Sequence, residues 1–328
     1  MAVDPRFDSC LWVLTGSRSV ASARVRGFAV LEELQARGVD ARSVELGGPS
    51  RAGTYLRLLT LLLRRRWPVI VLQKTLPHPL VIKALAARSR VLVYECDDAM
   101  HLDPPRPVSP ESLQRTRARL QAAVASAALI STTNRTLADE LASGKPTFVM
   151  PGPSPRRDVS AVVERDIDVL WLGSPDTQAY ITPIAEDLRR LVREGCNVVL
   201  VGTGDPVEGL DCRTWSPDVE ADALSRSRIG IMPMARDPWA DRKAGYKLLE
   251  YLSAGVLPVA SKVPAATLVN DWVGAVELCD GNWYEVLRAS LDSSFDPLAL
   301  VAATDSLSAE VFTDRWLEAV AQVEDRRG

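Results

Sequence analysis

The amino-acid sequence predicts an α/β fold with two doubly wound parallel sheets. Short apolar runs alternate with amphipathic helical stretches along most of the 328 residues, a pattern typical of parallel strands covered by helices on both faces. A proline-rich segment at 151–155 separates two such series. Hydrophobic residues make up 47% of the chain, enough for two domains that each have a core. We therefore expect two Rossmann-like domains that face each other across a cleft.

The first series places a helical pattern between successive strand candidates. Apolar runs that fit strands lie at 10–15, 41–45, 69–73, 91–95, 129–131 and 147–150. Helical periodicity occurs between them at 24–37, 53–66, 79–87, 110–126 and 134–141. Such an alternation of strands and helices is typical of a parallel sheet. It predicts an N-terminal Rossmann-like domain over residues 1–152.

The same pattern starts again after the prolines. Strands fit at 169–172, 198–201, 229–232, 257–260 and 275–278, and helices fit at 179–193, 217–225, 245–254, 265–269 and 283–291. These elements predict a second Rossmann-like domain over residues 153–305, with ligands at the carboxyl ends of its strands. A last amphipathic stretch begins near residue 309, and we expect residues 306–328 to form a C-terminal helix that packs back across the domains.

Composition and charge exclude several classes of function. The net charge of −3 argues against nucleic acid as a partner. The sequence contains only two histidines, and its five cysteines are scattered without the spacing of metal ligands. These counts exclude a histidine-rich metal centre, and we expect no cofactor. The acidic, proline-interrupted start does not resemble a signal peptide, and reduced thiols suit a cytoplasmic location.

The stretch 242–261 carries the strongest functional signal. It reads as a basic turn, a short helix, a glycine stop and a buried strand. Lys243 and Lys247 stand at the helix entrance, where backbone N–H groups and added cations favour a phosphate group. One turn further on, Glu250 could accept hydrogen bonds from sugar hydroxyl groups. The alternative is a pair of solvated lysines, with a surface glutamate that pairs with Lys247 or Arg242.

Two further pairs follow apolar strand candidates directly. Gly173 and Ser174 could present backbone N–H groups to a phosphate or a sugar, or they could form a plain strand-to-helix turn. Asp97 and Asp98 could serve as the base or the orienting group for an acceptor hydroxyl. They could also cap the turn that follows. The residues alone leave both alternatives open for each pair.

With these motifs the chain resembles the GT-B-fold glycosyltransferases, above all the retaining enzymes of glycosyltransferase family four. The sharpest match runs from Lys243 to Ser261, which is similar to the family's donor-site helix, glutamate, Ala-Gly stop and Pro-Val strand. Weaker matches lie at 19–26, 94–98, 171–175 and 199–204. One departure is clear. Members usually carry two glutamates eight positions apart, and Arg242 stands at the first of these positions.

The resemblance implies a role for each candidate residue. The N-terminal domain would bind the acceptor and the C-terminal domain the donor, without a metal ion. The implied catalytic residues are Asp97, Asp98, Lys243 and Lys247. The implied donor-binding residues are Gly173, Ser174, Gly245, Tyr246, Lys247 and Glu250. The implied acceptor-binding residues are Ser17, Arg24, Arg26 and His101.

The sequence therefore predicts a glycosyltransferase that moves a sugar from a nucleotide diphosphate sugar to an acceptor hydroxyl, with retention of configuration. The acceptor would be a small molecule, a glycan or a lipid-linked sugar, and a homodimer is left open. Alternatives are an epimerase or inverting transferase of this fold, and a non-catalytic partner subunit. An NAD-linked oxidoreductase is disfavoured because the glycine fingerprint is absent. The helical stretch 55–63, followed by three arginines, is expected to be buried, with membrane contact at most peripheral.

Overall fold

The computed structural model describes residues 4–46, 51–102, 108–159 and 164–326. Its strands, numbered in chain order, are β1 Ser9–Leu14, β2 Asp40–Glu45, β3 Trp67–Gln73, β4 Ser89–Cys96, β5 Leu129–Thr132, β6 Thr147–Val149, β7 Ile167–Leu172, β8 Val198–Val201, β9 Asp211–Arg213, β10 Ser227–Met232, β11 Leu257–Ser261 and β12 Glu277–Cys279. Every strand predicted from the sequence is present. The short edge strand β9 was not predicted.

The helices connect these strands. They are α1 Ala21–Ala23, α2 Ala29–Ala36, α3 Arg51–Arg64, α4 Pro79–Ala87, α5 Pro110–Ser126, α6 Arg135–Ala142, α7 Ala185–Arg193, α8 Pro217–Arg226, α9 Tyr246–Ser253, α10 Pro264–Val273, α11 Trp283–Asp292, α12 Pro297–Ala302 and α13 Ala309–Asp325. A π-helical turn joins α1 to α2. Among the described helices, none is long and apolar enough to cross a membrane.

The chain forms two compact units. Unit 1 comprises Met1–Pro153, Arg242–Ala244 and Leu307–Gly328, and unit 2 comprises Ser154–Asp241 and Gly245–Ser306. Each unit contains one six-stranded sheet, with the order β2-β1-β3-β4-β5-β6 in unit 1 and β12-β11-β10-β7-β8-β9 in unit 2. All strand pairs in both sheets are parallel. The prediction of an α/β fold with two doubly wound parallel sheets is therefore confirmed.

Unit 1 buries apolar side chains on both faces of its sheet. Leu11, Ile70 and Leu72 of the central strands are fully buried in one cluster with side chains of α3 to α6. On α13, Trp316 stacks against Trp12 of β1, with ring centroids 5.6 Å apart. The C-terminal helix thus completes the core of unit 1, where it also contacts α2.

Helix α3 differs from the sequence-based expectation. Its buried row, Leu58, Leu61 and Leu62, belongs to the core of unit 1. A second row of leucines on the same helix is exposed to solvent. The prediction of a buried helix is therefore wrong for half of its surface, because leucines occur on both faces and only one face has a sheet to pack against.

The strand order of each sheet reverses beside its first strand. In unit 1, β1 lies between β2 and β3, and in unit 2, β7 lies between β8 and β10. Ligands of doubly wound sheets bind outside the carboxyl ends of strands at such a reversal. Among the candidate residues, Ser17 follows β1 in unit 1, and Gly173 and Ser174 directly follow β7 in unit 2.

Candidate functional site

Helix α9 of unit 2 begins at Tyr246, directly after Gly245, and follows the loop that leaves β10. A Cβ atom on Gly245 would lie 2.9 Å from both the carbonyl oxygen of Ala265 and the side chain of Val269. Glycine therefore allows the start of α9 to lie directly against α10. The helix ends before Gly255, whose φ of +67° suits the stop predicted for it.

Glu250 is buried within α9 and pairs with Lys247. Its carboxylate oxygen Oε2 lies 2.8 Å from the Lys247 ammonium nitrogen, and the residue is only 1% exposed. The side chain of Lys247 is 33% exposed. Burial of a carboxylate is costly unless the charge is compensated, so Lys247 stabilises Glu250 in place. The pairing that the sequence offered as an alternative is observed, but the glutamate is not on the surface.

The pair with Glu250 does not use the whole of the Lys247 ammonium group. An ammonium group has three N–H donors, and the bond to Glu250 uses one of them. The partly exposed Lys247 can therefore also meet an anion near the start of α9, where backbone N–H groups add positive potential. The donor roles assigned to Lys247, Glu250, Gly245 and Tyr246 stay predictions.

Gly173 and Ser174 form a tight turn after β7. The N–H group of Gly173 donates to Val201 O at 3.0 Å, and that of Ser174 donates to Thr177 Oγ1 at 3.0 Å. A Cβ atom on Gly173 would lie 2.0 Å from the ring of Trp171. These contacts are those of a plain strand-to-helix turn. The contact of Gly173 and Ser174 with a donor stays a prediction.

In unit 1, Lys74 bridges the two aspartates that follow β4. Its ammonium nitrogen lies 3.0 Å from Asp97 Oδ1 and 2.5 Å from Asp98 Oδ2. Lys74 has a φ of +49°, and its N–H group donates to Glu95 O at 2.7 Å. Strained backbone of this kind in a residue other than glycine clusters at functional sites. Sequence reasoning did not single out Lys74, since nothing in its local pattern shows the two carboxylates.

The charges of this cluster change the acidity of its members. Burial raises the pKa of Asp98, as does the neighbouring Asp97, while Lys74 and Lys243 oppose the rise. Burial disfavours the charge of Lys74, but the two carboxylates outweigh burial and raise the pKa of Lys74. Lys74 is therefore charged at neutral pH, and Asp98 is a stronger proton acceptor than an ordinary aspartate.

Lys243 belongs to the short segment Arg242–Ala244 that groups with unit 1. Its carbonyl oxygen accepts a hydrogen bond from Asn134 Nδ2 at 2.9 Å. Asn134 is fully buried and also caps α6, where its Oδ1 accepts from Leu137 N at 2.8 Å. The cap thus fixes the segment so that the Lys243 charge acts on Asp98.

Arg242 is bound to Glu140 rather than left open to a sugar. Its Nε donates to Glu140 Oε2 at 2.6 Å, and a second N–H group donates to Oε1 of the same carboxylate. The Arg242 guanidinium lowers the pKa of Glu140. His101 Nε2 lies 2.9 Å from Glu140 Oε2. Arg242, the residue at the position where the resemblance expects a glutamate, therefore stabilises local structure here, and the acceptor role of His101 stays a prediction.

Arg26 lies in the core of unit 1. It is 3% exposed and pairs with Glu95, which is 2% exposed. Its guanidinium also donates to Met150 O at 3.0 Å and to Gly152 O at 2.8 Å. Burial raises the pKa of Glu95 even though Arg26 opposes the rise. These internal contacts explain Arg26 without a ligand, and nothing in them supports the predicted contact with an acceptor.

Ser17 and Arg24 lie where β1 leads into the first helix. The hydroxyl oxygen of Ser17 is 2.8 Å from that of Ser19, and Arg24 donates to Arg18 O at 3.3 Å. Ser17 is exposed and Arg24 is half-buried. Because the strands are parallel, these residues and the Lys74 cluster follow the same edge of the sheet. Their acceptor roles stay predictions.

Solved structures that match this architecture include several glycosyltransferases. AviGT4, described as a glycosyltransferase involved in avilamycin A biosynthesis, matches with a TM-score of 0.68 and 14% identity over 97% of this chain and 98% of its own. A glycosyltransferase from Rickettsia africae matches with a TM-score of 0.64 and 11% identity over 96% and 98%. The chain has the GT-B fold.

A third GT-B match is Alr3699/HepE of Anabaena, solved in complex with UDP and glucose. It has a TM-score of 0.55 and 11% identity over 98% of both chains. Neither a scan against protein-family models nor a search of the curated proteins found a match. At these identities the likeness shows the GT-B fold alone, because one fold can carry many activities. The function therefore depends on the residues of the site.

Proposed function

We propose that the protein transfers a sugar from a nucleoside diphosphate sugar to an acceptor hydroxyl, with retention of configuration and without a metal ion. The observation that carries the proposal is the buried Glu250 paired with Lys247 on α9. The pair combines a cation for a diphosphate with a carboxylate for hydroxyl groups. The complex of the Anabaena protein with UDP and glucose supports the choice of donor class.

On the donor side, Lys247 neutralises the negative charge that grows on the diphosphate as the glycosidic bond breaks. Electrostatic stabilisation of a leaving anion is often the largest contribution to catalysis. Glu250 accepts hydrogen bonds from the ribose hydroxyls. The N–H groups of Gly245 and Tyr246 at the start of α9 add positive potential for the same diphosphate.

On the acceptor side, Asp98 orients the hydroxyl that attacks the sugar, and Lys74 fixes Asp98 in position. Asp97 and Lys243 belong to the same cluster, and their charges act on Asp98. In the reaction, the acceptor oxygen forms a bond to the anomeric carbon while the bond from that carbon to the phosphate oxygen breaks. The acceptor proton passes to the leaving phosphate on the same face of the sugar, which gives retention.

Calorimetry against UDP, GDP and dTDP tests the proposal first. We expect one of them to bind, and its sugar conjugates then serve as donors for a panel of acceptors. A new glycoside whose anomeric proton coupling matches that of the donor supports a retaining transferase. An inverted coupling, or an epimerised donor without a glycoside, would support the alternative enzymes instead. Binding of no nucleotide at all would overturn the proposal and favour a non-catalytic subunit.

A further inference from the structure

Helix α3 carries a row of exposed leucines. Leu56, Leu59 and Leu63 are 66%, 51% and 63% exposed. Single exposed apolar residues are common on protein surfaces, but these three follow the spacing of one helical face. The core is already packed by the opposite row of the same helix. The exposed leucines therefore contribute little to the fold of unit 1.

Two arginines flank this row. Arg57 and Arg64 lie about two helical turns apart on α3, and both line a groove of about 440 Å³ together with Leu56 and Arg42. Arg42 is paired with Asp40. Among the residues that the structure describes, neither Arg57 nor Arg64 forms an ion pair. Their charges are thus available beside the apolar row.

An anionic bilayer surface fits this arrangement better than a second copy of the chain. A helix that lies in a membrane interface inserts apolar side chains while neighbouring arginines meet the lipid phosphates. In a two-fold dimer through the same face, the two arginines of one copy would lie near those of the other, and like charges would oppose association. We propose that α3, through Leu56, Leu59 and Leu63, docks the protein onto anionic lipid bilayers. This inference does not depend on the proposed enzymatic function.

Vesicle flotation with the full chain tests the docking surface. The vesicles consist of phosphatidylcholine alone or of an equimolar mixture of phosphatidylcholine and phosphatidylglycerol. The parent is expected to float with the mixed vesicles and to stay behind with the neutral ones. The variant L56Q/L59Q/L63Q should bind the mixed vesicles roughly tenfold more weakly or worse, because it inserts no apolar side chains. The variant R57Q/R64Q should also lose roughly tenfold, since each arginine near an anionic surface contributes measurably.

Control substitutions in unit 2 remove similar groups from another surface. Leu298→Gln replaces a leucine that is 46% exposed on α12, and R156Q/R193Q removes two positive charges from exposed positions. Both controls are expected to float like the parent. Thermal melts check that each variant remains folded. We expect this result because the substituted residues are exposed.

Three outcomes would overturn the proposal. The parent could fail to float with anionic vesicles, or the leucine variant could float as well as the parent. Alternatively, sedimentation could show a dimer of the parent that L56Q/L59Q/L63Q disrupts, without any lipid binding. That last result would assign the exposed row to contact between two copies.

Discussion

The ring of Tyr251 packs directly on Gly230, where an added Cβ atom would lie 2.3 Å from the ring. The Tyr251 hydroxyl accepts a hydrogen bond from Leu172 N at 2.9 Å and donates to Ile231 O at 3.1 Å. One side chain of α9 thereby connects the ends of β7 and β10, the two strands beside which the strand order of unit 2 reverses. Tyr251 thus fixes the helix that carries Lys247 and Glu250 to the sheet.

Tyr251→Phe should destabilise unit 2. The change leaves the N–H group of Leu172 and the carbonyl of Ile231 without this buried partner, which costs about 1–3 kcal/mol. Thermal melts should show a lower midpoint for the variant. Tyr284→Phe is the control, because its hydroxyl bonds Glu194 at the surface and its loss should matter little. Equal midpoints for parent and Tyr251→Phe would show that the bridge contributes nothing to stability.

Lys74→Met should destabilise the protein most near neutral pH. It leaves Asp97 and Asp98 without their shared cation, and loss of one partner of a largely buried pair costs about 3 kcal/mol. The pKa of Asp98 already lies above its ordinary value of 3.8, and it should rise further in the variant. A raised carboxyl pKa gives stability that is present at low pH and lost as the pH rises through that pKa.

The measurement compares melting midpoints of parent and Lys74→Met at about pH 5 and at neutral pH. The melting midpoint of the variant should lie closer to that of the parent at the lower pH, where Asp98 is protonated more readily. Lys83→Met, at an exposed position of α4, should show no such dependence. A deficit that grows as the pH falls would contradict the charge assignment of the cluster.

Arg26→Met should cost stability rather than ligand affinity. It leaves Glu95 buried without its cation, a loss of about 3–5 kcal/mol. The double variant R26M/E95Q should recover part of this loss, because it removes the uncompensated charge as well. Thermal melts of the two variants check that R26M/E95Q is more stable than Arg26→Met. If Arg26→Met were as stable as the parent but bound acceptor more weakly, the acceptor role predicted from the sequence would gain support.

The strands and most helices were predictable because their patterns are local. Apolar runs of parallel strands and the glycine stop at Gly255 depend on neighbours in sequence. Helix α12 was missed, since its six residues are too few for a periodic pattern. The exposure of Leu56 was missed for another reason. Periodicity identifies a helix, but only the position of the sheet decides which of two apolar rows is buried.

The candidate site was predictable where a motif is continuous in sequence. Lys247 and Glu250 stand three residues apart on one helix, so their pairing was foreseen as an alternative. The contact between Lys74 and Asp98 joins the ends of neighbouring strands, and no local pattern encodes it. Arg26 was assigned to a ligand because its partner Glu95 is distant in sequence. Contacts between charged side chains on different strands can be predicted only when the register of those strands is known.

Glu250→Gln should weaken the binding of nucleoside diphosphates through the loss of hydrogen bonds to ribose. Hydrogen bonds to a charged group are worth about 1.5–3 kcal/mol, so the dissociation constant should rise about tenfold or more. Binding of inorganic pyrophosphate should not weaken, because Lys247 is retained. Calorimetry with both ligands separates these effects, and Glu186→Gln at an exposed position is the control. Weaker binding of pyrophosphate as well would mean that Glu250 acts by positioning Lys247.

The proposed sugar transfer requires an anion site at the start of α9. Lys247→Ala should weaken the binding of UDP or GDP about tenfold or more, while binding of the corresponding nucleoside should change little. Lys262→Ala, which removes an exposed lysine of unit 2, should leave both affinities as in the parent. Calorimetric affinities of parent and Lys247→Ala for the nucleoside diphosphate are the most direct measurement. A selective loss of diphosphate affinity is the predicted result, and equal affinities would contradict the donor site.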